Sequence, residues 1–171
     1  MKLIGILLVL GGCIGMGLYE SYYVNARYQH GLAWKKALIC LRGEVEYART
    51  PLPEAFQVVG QKNAGKVGKF FMSLSERLFE ADTGQMDEFW QECLDKTFEK
   101  KDLLSEDRGI VNDMGKTLGY LDVTMQVNTI NLSLERLQQS LALQEREKKE
   151  KIRLYNLLGV SGGVFIALMI C

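Results

Sequence analysis

The chain has 171 residues, with 21 basic and 21 acidic side chains and a single histidine, so its net charge is zero. That length fits one modest domain. A chain without net charge offers no long-range field to nucleic acid, whose binding rests on Lys and Arg neutralising phosphates, and that partner class is set aside.

The charges are unevenly spread. Residues 24–153 hold all of them except Lys2 and Glu20, leaving 20 basic and 20 acidic side chains between two apolar ends. Residues 3–19, LIGILLVLGGCIGMGLY, and residues 154–171, LYNLLGVSGGVFIALMIC, carry no charge. As helices rising ~1.5 Å per residue they reach roughly 25–27 Å, near the ~30 Å hydrocarbon thickness of a bilayer. The expected organisation is a transmembrane helix over 1–23, a cytoplasmic helical bundle over 24–153 and a second transmembrane helix over 154–171. Tyr19, Tyr22 and Tyr23 form an aromatic collar suited to the interface.

Leu10-Gly11-Gly12-Cys13 also fits a lipoprotein cleavage box. Against cleavage, the apolar run continues through IGMGL, and the residues beside the spans on the domain side are strongly basic: Arg27, Lys35 and Lys36, then Arg136, Arg146, Lys148, Lys149, Lys151 and Arg153. Only Lys2 lies on the other side. Basic residues mark the cytoplasmic face, so the domain is expected in the cytoplasm with both termini opposite. Whether the first span is retained or cleaved at Cys13 stays open. Gly11 and Gly15, and Gly159 and Gly163, are small-xxx-small pairs at matching depths in oppositely directed spans. They suit helix packing within one chain, between copies or with another membrane component.

In the intervening segment, Trp34, Leu38, Leu41, Val45 and Ala48 step by four and three along one helical stripe. Pro51 pushes Thr50 out of helical geometry and ends that helix. Pro53 and Glu54 suit the first turn of the next, which runs through Val59. A third helix is expected from about Lys66 to Glu80, with Val67, Phe70, Phe71, Leu74 and Leu78 on one face. A fourth presents Met86, Phe89, Trp90, Cys93 and Leu94, and a fifth Ile110, Val111, Met114 and Leu118. The last carries Val123, Val127, Ile130, Leu134, Leu137 and Leu141, and with no proline after them it is expected to continue into the second span. FQVV at 56–59 is the single strand candidate and is too short to count. The class is all-α.

GQKNAGKV, residues 60–67, sits one residue from a phosphate-binding loop: Gly60, Gly65 and Lys66 match, but Val67 stands where Ser or Thr would bind Mg²⁺. Such a loop must also follow a strand of a parallel sheet. The residues instead read as a helix connection whose glycines and Asn63 accept unusual backbone angles, with Lys62, Lys66 and Lys69 solvated. His30, the lone histidine, supplies no triad, and Cys13, Cys40, Cys93 and Cys171 have neither metal-site nor redox-motif spacing. No catalytic, cofactor-binding or metal-binding residues are assigned, and no enzyme activity or small-molecule substrate is expected.

EVEYARTPLPEAF at 44–56, LGYLDVTMQVNTI at 118–130 and the KIRLYNLLGVSGGVFIALMI ending together resemble the stage III sporulation protein AB family. That resemblance implies a six-helix bundle similar to the cytoplasmic domain of type II secretion F platform proteins. It also implies a platform component of a secretion-like channel complex between mother cell and forespore, in the mother-cell membrane around the forespore. Its partners would be a cytoplasmic hexameric ATPase, to which it couples the membrane apparatus, and other membrane components of the complex. Platform proteins carry two bundles and three spans, so oligomeric state and stoichiometry do not carry over, and a homo-oligomer is kept among the expected partners. The alternative is a membrane-tethered adaptor or sensor outside secretion. The candidate ATPase contacts are Pro51, Pro53 and Glu54 in one turn and Lys62 and Lys66 around the next, because loops on rigid scaffolds commonly carry contacts.

Overall fold

A computed structural model describes residues 2–80, 86–119 and 122–170, with side-chain surroundings given for most of 21–150. Among the described residues there are six α-helices and no strand. They are α1 (Lys2–Gly43), α2 (Leu52–Lys62), α3 (Gly65–Glu80), α4 (Met86–Thr97), α5 (Ser105–Leu118) and α6 (Val123–Ile170). A π-helical turn, Glu44–Ala48, extends α1. The all-α expectation holds, and FQVV lies inside α2.

The chain forms two compact units, one of Met1–Tyr28 with Leu143–Cys171 and one of Gln29–Ala142. The second is the helical bundle, built around aromatic rings. Trp34 lies with ring centroids 5.0 Å from Phe70, 5.4 Å from Phe71, 5.7 Å from Phe98 and 6.4 Å from Trp90. Phe56 joins through Phe71 and Trp90, and all six rings are fully buried. Each such ring takes about 150–250 Å² out of water, so this cluster dominates the apolar burial of the unit. The indole nitrogens of Trp34 and Trp90 are buried without an acceptor, a cost offset by the ring packing around them.

The apolar stripes of α3 to α5 face this core as their spacing requires: Val67, Phe70, Phe71 and Leu74, then Met86, Trp90, Cys93 and Leu94, then Ile110, Val111, Met114 and Leu118 are buried. Leu78 and Phe89 are half-buried, and Phe89 lies beneath the Arg77 guanidinium at 5.4 Å. On α1 the stripe holds through Trp34, Leu38, Leu41 and Val45 but not at Ala48, which is exposed. The π-helical turn widens the winding to i→i+5 bonding and rotates Ala48 off the stripe. On α6, Ile130, Leu134, Leu137 and Leu141 are buried while Val123 is exposed, since the helix begins beyond the edge of the core. As the sequence led us to expect, α6 runs without interruption to Ile170.

In the first unit, the Tyr19 hydroxyl donates to that of Tyr23 at 3.0 Å, and the Tyr22 and Tyr23 rings meet edge-on. The Lys148 ammonium lies 4.7 Å from the centre of the Tyr28 ring. Burial, and then the nearby Glu145 carboxylate, push the Tyr28 phenol above its usual range. No helix is long and apolar enough among the described residues to cross a membrane. The expected spans, 3–19 and 154–171, fall largely on residues whose side chains lie outside the described ones. So do Gly11, Gly159 and Gly163; at Gly15, a Cβ would meet nothing within 4 Å.

Candidate functional site

The sequence offers two turns as a contact surface, and the structure builds each around a carboxylate. In the first, the helix leaves its π-helical turn through Arg49, whose φ of 52° and ψ of 34° are left-handed. The Glu44 carbonyl accepts from the backbone N–H of both Arg49 and Thr50, the latter at 3.0 Å, which closes the helix end. Pro51 caps α2, Pro53 stands in its first turn, and Glu54 is the exposed acid there, favourably placed for the helix dipole. Ser75 of α3 donates to the Pro53 carbonyl at 2.8 Å, so this turn is pinned to the bundle.

Glu44 is the hub of that region. Its Oε1 takes the Lys62 ammonium at 2.9 Å and its Oε2 accepts from the Thr50 hydroxyl at 3.3 Å. Lys62 at the end of α2 is thereby returned to the π-helical turn. The bond from Glu44 is the first cause of the upward shift of the Lys62 ammonium. Beside the pair, burial pushes the Cys40 thiol up despite the Lys62 and Lys36 charges.

The connection at 63–66 is a short link between α2 and α3. Asn63 is buried and its side-chain amide donates to the Val59 carbonyl at 2.8 Å, satisfying an acceptor left open at the helix end. Gly65 has a φ of +75°, and a Cβ on Gly68 would sit 1.9 Å from the Asn63 carbonyl oxygen, so glycine is required at both for backbone reasons. Val67 is in the core. Lys66, the residue that makes the stretch look like a phosphate loop, is 2.6 Å from Asp102 Oδ2, which also accepts from the Glu99 amide at 2.8 Å. The His30 ring is 3.0 Å from the Asp102 carbonyl through Nδ1 and meets Phe98 edge-on. Burial raises the Asp102 carboxyl, but the Lys66 and Glu99 bonds and the Lys66 and His30 charges outweigh it and hold the group below its ordinary range.

The two lysines expected to share one patch are therefore engaged by different carboxylates. Lys62 joins Glu44 and Thr50 in the turn leading to Pro51, Pro53 and Glu54. Lys66 joins Asp102 and, through it, His30 near the start of the bundle unit. Neither lysine is simply solvated.

A third polar group is not legible in the sequence. Asp107, in the first turn of α5, is fully buried, and its Oδ1 accepts from Ser140 of α6 at 2.6 Å. Gly31 of α1 packs against the same place, where a Cβ would come within 2.7 Å of Leu141 and 3.5 Å of Asp107. An acid in a first helical turn ordinarily reads as a solvated charge complementing the helix dipole. The signal that could have found it is the register of Ser133 and Ser140, which fall on the apolar stripe of α6 and are buried there. Among the described residues, no group of three or more His, Cys, Asp and Glu is arranged to hold a metal ion.

Similarity to known proteins extends over the whole chain. The family model described as stage III sporulation protein AB matches residues 2–171. The chain is 24% identical over 170 residues to the stage III sporulation protein AB of Bacillus subtilis (strain 168), covering 99% of each. It is also similar to a solved structure of stage III sporulation protein AB (SpoIIIAB), with a TM-score of 0.63 and 26% identity, covering 73% of this chain and 98% of that one. With the family model matched over residues 2–171, this chain belongs to the stage III sporulation protein AB family.

Proposed function

We propose that this sporulation protein is a membrane platform component of a secretion-like channel complex between mother cell and forespore, coupling a cytoplasmic hexameric ATPase to the membrane apparatus. The observation that carries the reading is continuity: α1 and α6 each run from an apolar end of the sequence into one helical unit. Such a chain is held at both ends and presents a rigid bundle between them. The basic residues flanking the apolar ends favour a cytoplasmic bundle with both termini on the other side.

The same reading leaves nucleotide chemistry to the partner. Val67 is committed to the core and Lys66 to Asp102, so the 60–67 stretch serves the link between α2 and α3. Contact with the ATPase falls to the exposed surface around Pro51, Pro53, Glu54 and Lys62, where the backbone is fixed by Glu44 and Ser75.

The test is made in sporulating cells, with a fluorescent fusion and a thiol reagent that does not cross membranes. The fusion is expected on the membrane surrounding the forespore. In a chain whose four native cysteines are replaced by serine, and before engulfment closes off the forespore, a cysteine placed at Lys36 should be labelled only after permeabilisation, and one placed at Lys2 without it. A soluble distribution, or labelling of position 36 in intact cells, would reject the reading in favour of an adaptor or sensor of different placement.

A further inference from the structure

We propose that the outward face of α6 just before its apolar end is a binding surface for anionic phospholipid headgroups. This rests on the membrane placement above and adds a lipid chemistry to it. Arg146, Lys149 and Arg153 are all exposed, and none of them is engaged in an ion pair or hydrogen bond among the described residues. At 3.6 residues per turn, positions i, i+3 and i+7 share an arc of about 60°. Lys148 lies on the opposite side of the helix, where its ammonium is occupied by the Tyr28 ring of α1 at 4.7 Å. The arc therefore faces away from α1. Glu145 and Glu150 flank it, one at each edge, while the spacing of Glu147 turns it further away, so three basic groups stand between two flanking acidic ones.

The residues beyond Arg153 on α6 identify the occupant. Leu157 continues the same side and Leu154 lies beside it; both are exposed, and no charged residue occurs from 154 onward. A basic strip that gives way within one turn to bare leucine has the order of a headgroup layer above hydrocarbon. Long basic side chains can hold their charge at phosphate level while their stems lie on apolar surface. On α1, in the same compact unit, Tyr19 and Tyr22 are also exposed. Tyrosine is favoured at that depth because its ring is apolar and its hydroxyl is wet. An acidic protein surface would match the three charges but would give no reason for the leucines or the tyrosines.

The full chain is placed in nanodiscs of equal phosphatidylglycerol and phosphatidylcholine, and the lipids it retains on release are counted by native mass spectrometry. Phosphatidylglycerol is expected in at least about fivefold excess, the scale for basic groups at an anionic surface. The Arg146→Gln/Lys149→Gln/Arg153→Gln chain, with unchanged circular dichroism, should fall to near parity, whereas Lys35→Gln/Lys36→Gln should retain the excess. Equal retention by the unaltered chain overturns the proposal and leaves the strip to an acidic protein partner. An excess that survives the triple substitution also overturns it. A chain that does not enter the nanodiscs overturns the membrane reading and this proposal together.

Discussion

Asp102 shows how one side chain converts a suggestive motif into structure. Its carboxylate receives Lys66 and the Glu99 amide, and its carbonyl meets His30, so three segments of the bundle converge on one residue. Because these partners lower its affinity for protons in the folded state, the stabilisation they give is complete above the unfolded carboxylate value, about 3.9, and is lost as pH falls through the lower folded value. The chain with Asp102→Asn should therefore melt below the unaltered chain at pH 7. The gap should close as pH falls below about 4, measured by thermal unfolding at matched ionic strength. A gap independent of pH would mean that the substitution acts through packing and not through charge.

At the scale of elements, the exit from α1 is the feature with the clearest physical signature. Arg49 holds a left-handed backbone conformation that costs a non-glycine residue roughly 1–2 kcal/mol. The double acceptance by the Glu44 carbonyl and the two prolines after it fix the chain there. Arg49→Gly should stabilise the protein by about 0.5–1 kcal/mol, the relieved strain less the extra freedom of glycine in the unfolded chain. Arg49→Ala, which removes the side chain but keeps the strain, should show no such gain in chemical denaturation. This turn also marks where the sequence stops being legible. The stripes of α3, α4 and α5 are readable because a 3.6-residue period survives any detail of packing. The winding change that exposes Ala48 is not, because ARTPLP reads as a helix end whether the last turn is α or π. Glu44 as hub, the Lys66–Asp102 pair and the buried Asp107–Ser140 bond all join residues far apart in sequence, and charge type alone does not choose such partners. Gly115 is equally silent: a Cβ there would lie 2.2 Å from the Trp90 ring, a demand that only the folded neighbour makes.

For the molecule as a whole, the arrangement is one bundle unit with a helix leaving it at each end of the chain toward an apolar terminus. The role proposed above is that of a platform, with the nucleotide chemistry left to its partner. The central claim is that the chain brings a cytoplasmic ATPase to the membrane, and a flotation assay addresses it most directly. Liposomes containing the full chain are mixed with the purified hexameric ATPase of the same sporulation complex and spun through a density gradient, with empty liposomes alongside. The ATPase should float with the chain-bearing liposomes, remain at the bottom with empty ones, and lose flotation when Glu54 and Lys62 are both charge-reversed. An ATPase that stays at the bottom in every case, with the chain oriented bundle outward, would contradict the account.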